Sequence, residues 1–399
     1  MKSPAERLAR VLEKHPKFYE VAPDGDYTGA IIRRGQFLVP ARHASAVEEK
    51  ARAWTDRRTD LQPLGAAWFT LRRDAEDDVA GFIANELSPK GTGALASPVH
   101  LFRGEPNYQG GPGDAPAPVA EPLPEPPKGR SSHAVTVAVL DTGLSTTHQW
   151  FPKQSWEAVD ADVDDVPDEN NDYELDAQAG HGTFIAGIVR QHAPGAHLMI
   201  SRVLGSDGVC DELELLQALR ALQHLNTLHN RKIGVLNLSL GAYTWNNQPP
   251  ALLSQVIEEL SADTVVVSAA GNNSRDRKFW PAAFDSVVGV GALTADGQER
   301  TTFSNHGDWV DAWAPGERVA SSFIEFDGPQ EEAPKSDIDP DCFTGFATWS
   351  GTSFAAPQVA AELAGQAQEQ KTSPRAVLDD VLKDFPEPDK GASTGSRSP

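Results

Sequence analysis

Residues 134–140 read Ala-Val-Thr-Val-Ala-Val-Leu, and Asp141, Thr142 and Gly143 follow at once. A nearly uninterrupted apolar run of this length is typical of a parallel strand that is buried on both faces. We therefore predict a strand inside a sheet that helices cover. Asp141 would stand at the carboxyl end of that strand, where open α/β sheets carry their chemistry.

Further runs of the same kind follow along the chain, and helical patterns separate several of them. The runs cover residues 198–204, 233–239, 264–270 and 286–292, and the clearest helical patterns cover residues 212–230 and 251–260. Strands that alternate with helices predict an α/β domain with a parallel sheet. We assign this domain to residues 133–385.

The first hundred residues follow a different pattern. Helical spacing over residues 4–15, 44–55 and 77–87 is interleaved with strand-like runs at residues 36–39, 66–71 and 99–102. This order predicts a small α+β domain over residues 1–103. Residues 104–132 are rich in Pro and Gly, which predicts an extended linker without fixed secondary structure. Residues 386–399 are polar and predict a disordered tail.

Charge, cysteine content and hydropathy limit the partners that we expect for this protein and the compartment in which we expect it. The net charge of −22 argues against nucleic acid and anionic membranes as partners, because both select basic surfaces. Two cysteines, Cys210 and Cys342, cannot form a disulfide framework. The first 21 residues lack the apolar core of a secretory signal, and no run of 18 apolar residues predicts a membrane span. We expect a cytoplasmic protein.

Polar residues recur where the predicted strands end or helices begin. Besides Asp141, these are His181 between two glycines, Asn272 in the sequence Ala-Ala-Gly-Asn-Asn, and Ser353 behind Gly351 and Thr352. Each alone has a plain structural explanation, as a turn residue or a helix cap. Together they could supply a nucleophile, a base, an orienting carboxylate and an oxyanion donor.

The set resembles the subtilisin-like serine proteases, or subtilases. The motifs that match this family, in its order, are Asp141-Thr-Gly, His181-Gly-Thr, Ser239-Leu-Gly, Ala270-Gly-Asn272 and Gly351-Thr-Ser353-Phe-Ala-Ala-Pro. The resemblance covers residues 134–370 and implies a subtilisin-like fold with endopeptidase activity. The Asp-His-Ser order is a known feature of that family.

The resemblance also implies a role for each site residue. Ser353 would attack the peptide carbonyl, His181 would take its proton, and Asp141 would hold the imidazole. Asn272 would stabilise the oxyanion. Two backbone segments would bind the substrate as an added β-strand, with a shallow pocket beyond them for the residue before the scissile bond. The binding residues are Gly208, Val209, Ser239, Leu240, Gly241 and, in the pocket, Phe279.

Some segments depart from the family pattern. Residues 189–198 run directly into a strand, so the calcium-binding loop of secreted subtilisins looks absent. The acidic run at residues 160–170 lacks the glycine and the final Glu of an EF-hand, and we interpret it as a solvated loop. We expect neither a metal nor a cofactor. The acidic segment at residues 322–346 predicts a surface insertion, with a gating or specificity role as the alternative.

Several functional alternatives remain open. The N-terminal domain is similar in element order to subtilase propeptides, so it could be an inhibitor that is cleaved off, or a permanent docking domain. The leading prediction is an endopeptidase of restricted specificity that acts on proteins or peptides. The alternatives are a processing protease for one dedicated partner and a catalytically silent scaffold.

Overall fold

The structure is a computed structural model. It describes residues 19–21, 30–72, 78–87, 95–104, 115–127, 129, 134–228, 232–331 and 341–388. The predicted helix at residues 4–15 and most of the predicted tail lie outside these ranges. None of the helices in the described ranges is both long and apolar enough to cross a membrane.

Seventeen strands and seven helices are described. The strands are β1 (Tyr19–Val21), β2 (Ile31–Pro40), β3 (Thr55–Leu61), β4 (Ala66–Leu71), β5 (Ser97–Gly104), β6 (Ala117–Pro118), β7 (Thr136–Asp141), β8 (Trp156–Ala158), β9 (His197–Arg202), β10 (Val209–Asp211), β11 (Ile233–Leu238), β12 (Leu240–Gly241), β13 (Val265–Ala269), β14 (Val287–Leu293), β15 (Ala312–Pro315), β16 (Val319–Gly328) and β17 (Asp341–Trp349). The helices are α1 (Ala41–Ala51), α2 (Val79–Phe82, continued by a π turn at Ile83–Leu87), α3 (His181–His192), α4 (Glu212–Leu228), α5 (Ala251–Ser261), α6 (Thr352–Gln370) and α7 (Pro374–Lys383).

The large sheet is parallel throughout, which confirms the α/β prediction. Its strand order is β15-β14-β13-β11-β7-β9-β8. Alternate side chains of β7 enter different cores: Val137 and Val139 pack with α3 and α6, while Ala138 and Leu140 pack with α4 and α5. Both faces are therefore covered, which explains why the strand sequences are apolar without alternation.

Strands β2, β4 and β5 of the N-terminal region form the centre of a second, antiparallel sheet, which β10 and β12 of the α/β domain join through β5. The helices α1 and α2 cover one face of this sheet and enclose a separate apolar core. The predicted helix at residues 44–55 is too late, because α1 ends at Ala51 and β3 begins at Thr55. Since β3 is an edge strand with mostly polar side chains, no apolar alternation marked it in the sequence.

Part of the expected linker is ordered against the α/β domain, which corrects the prediction that it lacks secondary structure. Strand β6 pairs antiparallel with β17, and the Gln330 side chain donates to the Pro116 carbonyl oxygen over 3.1 Å. Val119 and Leu123 pack on the apolar core of the α/β domain. Residues 115–127 thus form a strap along that domain. Extended proline-rich backbone suits such a strap, because it can supply strand edges without helical structure.

The expected surface insertion at residues 322–346 is also corrected. Most of its described residues belong to β16 and β17, which form an antiparallel hairpin. Phe323, Ile324, Phe343 and Phe346 are buried in the α/β core. Charged residues in the sequence obscured these apolar positions. The hairpin ends at Trp349, and the Ser353 motif follows directly. It is therefore part of the core that supports the site and not a surface insertion.

Candidate active site

Asp141 and His181 form a buried pair at the carboxyl end of β7. Nδ1 of His181 lies 2.7 Å from Oδ1 of Asp141, and the same oxygen accepts a hydrogen bond from the Thr142 backbone N–H. Both side chains are almost completely buried. Nε2 of His181 makes no hydrogen bond to any residue in the described ranges. The pair therefore presents an imidazole whose orientation is fixed on one side and whose other nitrogen is available as a base.

The helix α3 holds His181 at its first residue. It begins after Gly180, whose φ of +82° is a left-handed conformation that glycine adopts without strain. The Gly182 N–H donates to the Thr142 hydroxyl over 2.8 Å. A Cβ on Gly182 would lie 2.3 Å from the Gly143 carbonyl oxygen. The glycines around His181 thus allow the helix to press against the end of β7.

Asp165 supports the same helix, and sequence reasoning missed it. Its carboxylate accepts hydrogen bonds from the backbone N–H groups of Gly180 and Thr183 and from the Thr183 hydroxyl, over 2.9, 3.1 and 2.7 Å. Burial raises the pKa of Asp165, against the lowering effect of these hydrogen bonds. The interpretation of the acidic run as a solvated loop is therefore wrong for this residue. A carboxylate at a helix N-terminus also complements the helix dipole.

Ser353 lies in the first turn of α6, beside the end of β11. Its hydroxyl donates to the Ser239 carbonyl oxygen over 3.1 Å, and the Ser239 hydroxyl donates back to the Ser353 carbonyl oxygen over 2.8 Å. The ring of the next residue, Phe354, lies 5.4 Å from the His181 ring between centroids. The hydroxyl is thus not bonded to His181 in this conformation. Such catalytic hydrogen bonds often form only when substrate is bound.

Asn272 is positioned against the same turn. Its side-chain oxygen accepts a hydrogen bond from the Thr352 backbone N–H over 3.0 Å, and the Gly271 N–H donates to the Thr352 hydroxyl over 3.0 Å. These bonds fix the amide next to Ser353, with its oxygen already used as an acceptor. The NH₂ group is then the part of the side chain that can serve an incoming oxyanion.

The expected substrate-binding segments both pair with a strand of this same chain. Strand β5 pairs antiparallel with β10 on one side and with β12 on the other. Arg103 lies opposite Val209 and Gly241, and Gly104 lies opposite Leu240. The Gly104 N–H donates to the Gly208 carbonyl oxygen over 2.9 Å. Ser239 directly precedes β12, so the end of β5 points toward Ser353.

Burial also sets the reactivity of the Cys210 thiol, which lies in β10. The Cys210 side chain is 2% exposed, and burial together with nearby carboxylates raises the pKa of the thiol well above its ordinary value. A protonated, buried thiol is a weak nucleophile. Cys210 therefore acts as an apolar side chain in the core that α4 and α5 cover.

Phe279 lies against the backbone of Gly241 and Gly271. It is fully buried, and its ring packs against Tyr243 with 5.0 Å between centroids. A Cβ on Gly241 would lie 2.1 Å from the Phe279 ring, and one on Gly271 would lie 3.1 Å from it. The ring therefore fills the space beside Gly241 and Gly271.

Comparisons with known proteins agree with the resemblance to the subtilases. A model of the subtilase family matches residues 132–384. The major intracellular serine protease of Bacillus subtilis (strain 168) is 29% identical over 253 residues, which cover 59% of this chain and 69% of that protein. The thermophilic serine proteinase of Bacillus sp. (strain AK1) is 30% identical over 249 residues, which cover 58% of this chain and 51% of that protein.

Two further similarities are to a protein of Saccharomyces and to a solved structure. Cerevisin of Saccharomyces cerevisiae (strain ATCC 204508 / S288c) is 31% identical over 242 residues, or 58% of this chain and 33% of cerevisin. A crystal structure of a cold adapted subtilisin-like serine proteinase is 27% identical, covers 62% of this chain and 80% of that chain, and superposes with a TM-score of 0.45. Because the family model matches well over half of the residues, this chain belongs to the subtilase family of serine endopeptidases.

Proposed function

We propose that this protein is an endopeptidase that cleaves proteins or peptides through Ser353, His181 and Asp141. Ser353 attacks the carbonyl carbon as His181 Nε2 takes the hydroxyl proton, and the acyl-enzyme forms when the imidazolium protonates the leaving amine. Asp141 keeps the imidazole in the Nδ1–H tautomer and stabilises the imidazolium. The Asn272 amide and the Ser353 N–H, in the first turn of α6, bind the oxyanion.

The observation that carries this proposal is the extended strand β5, which pairs with both expected binding edges and points toward Ser353. A cleft that accepts one extended strand by backbone hydrogen bonds can accept a peptide substrate in the same way. The test is labelling with a fluorophosphonate, which reacts with activated serines. Wild type should be labelled and Ser353→Ala should not. Casein cleavage then separates a broad protease from one dedicated to a single partner, and absence of labelling would favour the silent scaffold.

The same pairing supports a role for residues 1–103 as an intramolecular inhibitor. Occupation of both binding edges by β5 excludes a substrate strand from the cleft. The permanent docking domain is the alternative. Residues 115–127 are bound to the α/β domain and residues 97–104 to the cleft. A cut that releases the N-terminal domain and leaves the strap in place therefore falls within residues 105–114.

Mass spectrometry of wild type beside Ser353→Ala tests this role. We expect cleavage within residues 105–114 in wild type alone, so that the catalytic part keeps the strap and residues 133–385. A full chain that stays intact while it cleaves peptides would favour the docking domain. Cleavage in both proteins would point to another protease.

We also propose an intracellular, cytoplasmic location with no nucleic-acid or membrane partner. One similar protein is named as a major intracellular serine protease. Cys210 and Cys342 are both free thiols, and the net charge is strongly negative. Free thiols suit a reducing compartment. Cell fractionation with an antibody against the α/β domain tests the location, and recovery from the culture medium would contradict it.

A further inference from the structure

The register of β5 identifies the substrate position that Gly104 occupies in the cleft. Gly104 lies opposite Leu240, and Arg103 lies opposite Gly241. Continuing this antiparallel register brings the next residue of a bound peptide opposite Ser239, whose carbonyl oxygen already contacts the Ser353 hydroxyl. That next residue would present its carbonyl to the nucleophile. Gly104 therefore stands at the second residue before the scissile bond, the P2 position.

The side chain of Gln178 fills the space beside this position. A Cβ built on Gly104 would lie 1.9 Å from Oε1 of Gln178 and 3.3 Å from Leu204. The Gln178 amide donates a hydrogen bond from Nε2 to the Gly104 carbonyl oxygen over 3.2 Å. A side chain at this position would therefore require the Gln178 amide to move away from the strand.

Gln178 is confined in this place. It is 3% exposed, its backbone N–H donates to the Ser206 carbonyl oxygen, and its carbonyl oxygen accepts from the His181 N–H. On the far side, a Cβ on Gly208 would lie 2.0 Å from the Gln178 side chain. The amide is thus enclosed between Gly104 and Gly208. A larger P2 residue must displace it and break its hydrogen bond to the strand.

We propose that Gln178 is a specificity-determining residue that selects glycine at P2. This inference rests on the proposed endopeptidase function. Displacement of a buried, hydrogen-bonded amide should lower kcat/KM for alanine at P2 by about 10- to 100-fold relative to glycine. Because the same contact operates on β5, Gly104 is the residue of the N-terminal domain that satisfies this requirement.

The test uses internally quenched peptides and the full-length protein, pre-incubated until its cleavage rate is steady. Each peptide carries His-Leu-Phe-Arg, as at residues 100–103, then Gly or Ala at P2. The P1 residue is Ala in one pair and Glu, the residue at position 105, in the other. Three proteins are compared: wild type, Gln178→Ala, which empties the space, and Gln178→Met, which keeps a side chain of similar length without the amide.

Wild type should prefer the glycine peptides by about 10- to 100-fold, and Gln178→Ala should reduce that preference to about threefold or less. Gln178→Met should keep most of it, because its side chain still occupies the space. Fluorophosphonate labelling of Ser353 confirms that each variant is folded. Equal cleavage of the glycine and alanine peptides by labelled wild type would overturn the role of Gln178 alone. Absence of both labelling and cleavage would overturn the proposed endopeptidase function as well.

Discussion

Nδ1 of His100 lies 3.0 Å from Oε2 of Glu212, and this buried pair joins β5 of the N-terminal domain to the start of α4. The Trp245 backbone N–H donates to Nε2 of the same ring over 3.3 Å. With Nε2 acting as an acceptor, Nδ1 carries the proton that reaches Glu212. The ring therefore links three separate segments around the edge of the cleft.

Loss of His100 should loosen the N-terminal domain. His100→Leu removes the side-chain hydrogen bond to the buried Glu212 carboxyl and leaves it the backbone N–H of residue 100, over 3.3 Å. Loss of the side-chain partner costs about 1–3 kcal/mol. Hydrogen exchange at the β5 amides should accelerate by about 5- to 100-fold in the uncleavable Ser353→Ala protein. Arg58→Ala, which breaks an ion pair with the exposed Glu48 on the same domain, is the matched control and should change little. Unchanged β5 exchange in His100→Leu would show that the pair does not anchor the domain.

Removal of the Asn272 amide should reduce turnover more than substrate binding. Asn272→Ala should lower kcat by about 100- to 1,000-fold, the loss seen for one oxyanion donor in subtilisin, a member of this family. KM should change little, because the donor acts where charge develops. The neighbouring Asn273→Ala is the control for disturbance of the turn. Equal effects of the two substitutions on steady-state peptide kinetics would argue against the oxyanion role.

Asp165 should make stability depend on pH in a defined direction. Burial raises its pKa in the native state, so the native state binds this proton more tightly than the unfolded chain does. Its contribution is complete below the unfolded pKa of about 3.9 and is lost as the pH rises through the raised native value. Because Asp165→Asn cannot titrate, the Tm of wild type minus that of the variant should fall with rising pH.

Thermal unfolding from about pH 3 to pH 8 covers this window. The exposed neighbour Asp164, which accepts a hydrogen bond from Thr146, supplies the matched control Asp164→Asn. A Tm difference for Asp165→Asn that is constant with pH, or that grows as the pH rises, would contradict the assignment.

Phe279 should limit the residue before the scissile bond to small or modest apolar side chains. Phe279→Ala should open the space below Gly241 and raise kcat/KM for Phe relative to Ala at P1 by about tenfold or more. The substitution should also cost about 3–5 kcal/mol of stability through the cavity. Phe284→Ala, in a neighbouring buried cluster, controls for that cost. A wild-type peptide-library profile dominated by Arg or Phe at P1 would contradict the shallow pocket.

The parallel sheet could be predicted because its signal is local. Each strand buried on both faces is a short apolar run, as in β7 and β13. Asp141 ends the first of these strands, and Asn272 lies three positions after the second. Recognition of the motifs then assigned roles that composition alone could not give. The sequence pattern was weaker for β3, which lies at an edge and is polar.

The contacts that refine the site could not be predicted, since they depend on how distant segments meet. Asp165 lies in a run of acidic residues that is indistinguishable in composition from a solvated loop, and only the position of α3 makes it a helix cap. Gln178 becomes informative only once β5 is placed beside it. Apart from its prolines, the strap at residues 115–127 carries only two apolar side chains larger than Ala, Val119 and Leu123, so its pairing with β17 depends on an edge that the hairpin provides.

The strap has a consequence for the timing of activity. It fixes one end of the short connection at residues 105–114, while β5 holds the other end in the cleft. In the proposed inhibitor role, the local concentration of the N-terminal domain near the cleft before a cut is set by this tether and is on the order of millimolar, whatever the protein concentration. After a cut, rebinding becomes a reaction between two molecules and weakens with dilution. A single cut would then activate the enzyme irreversibly in a dilute compartment. In a concentrated solution the released domain could rebind, and the activation would be reversible.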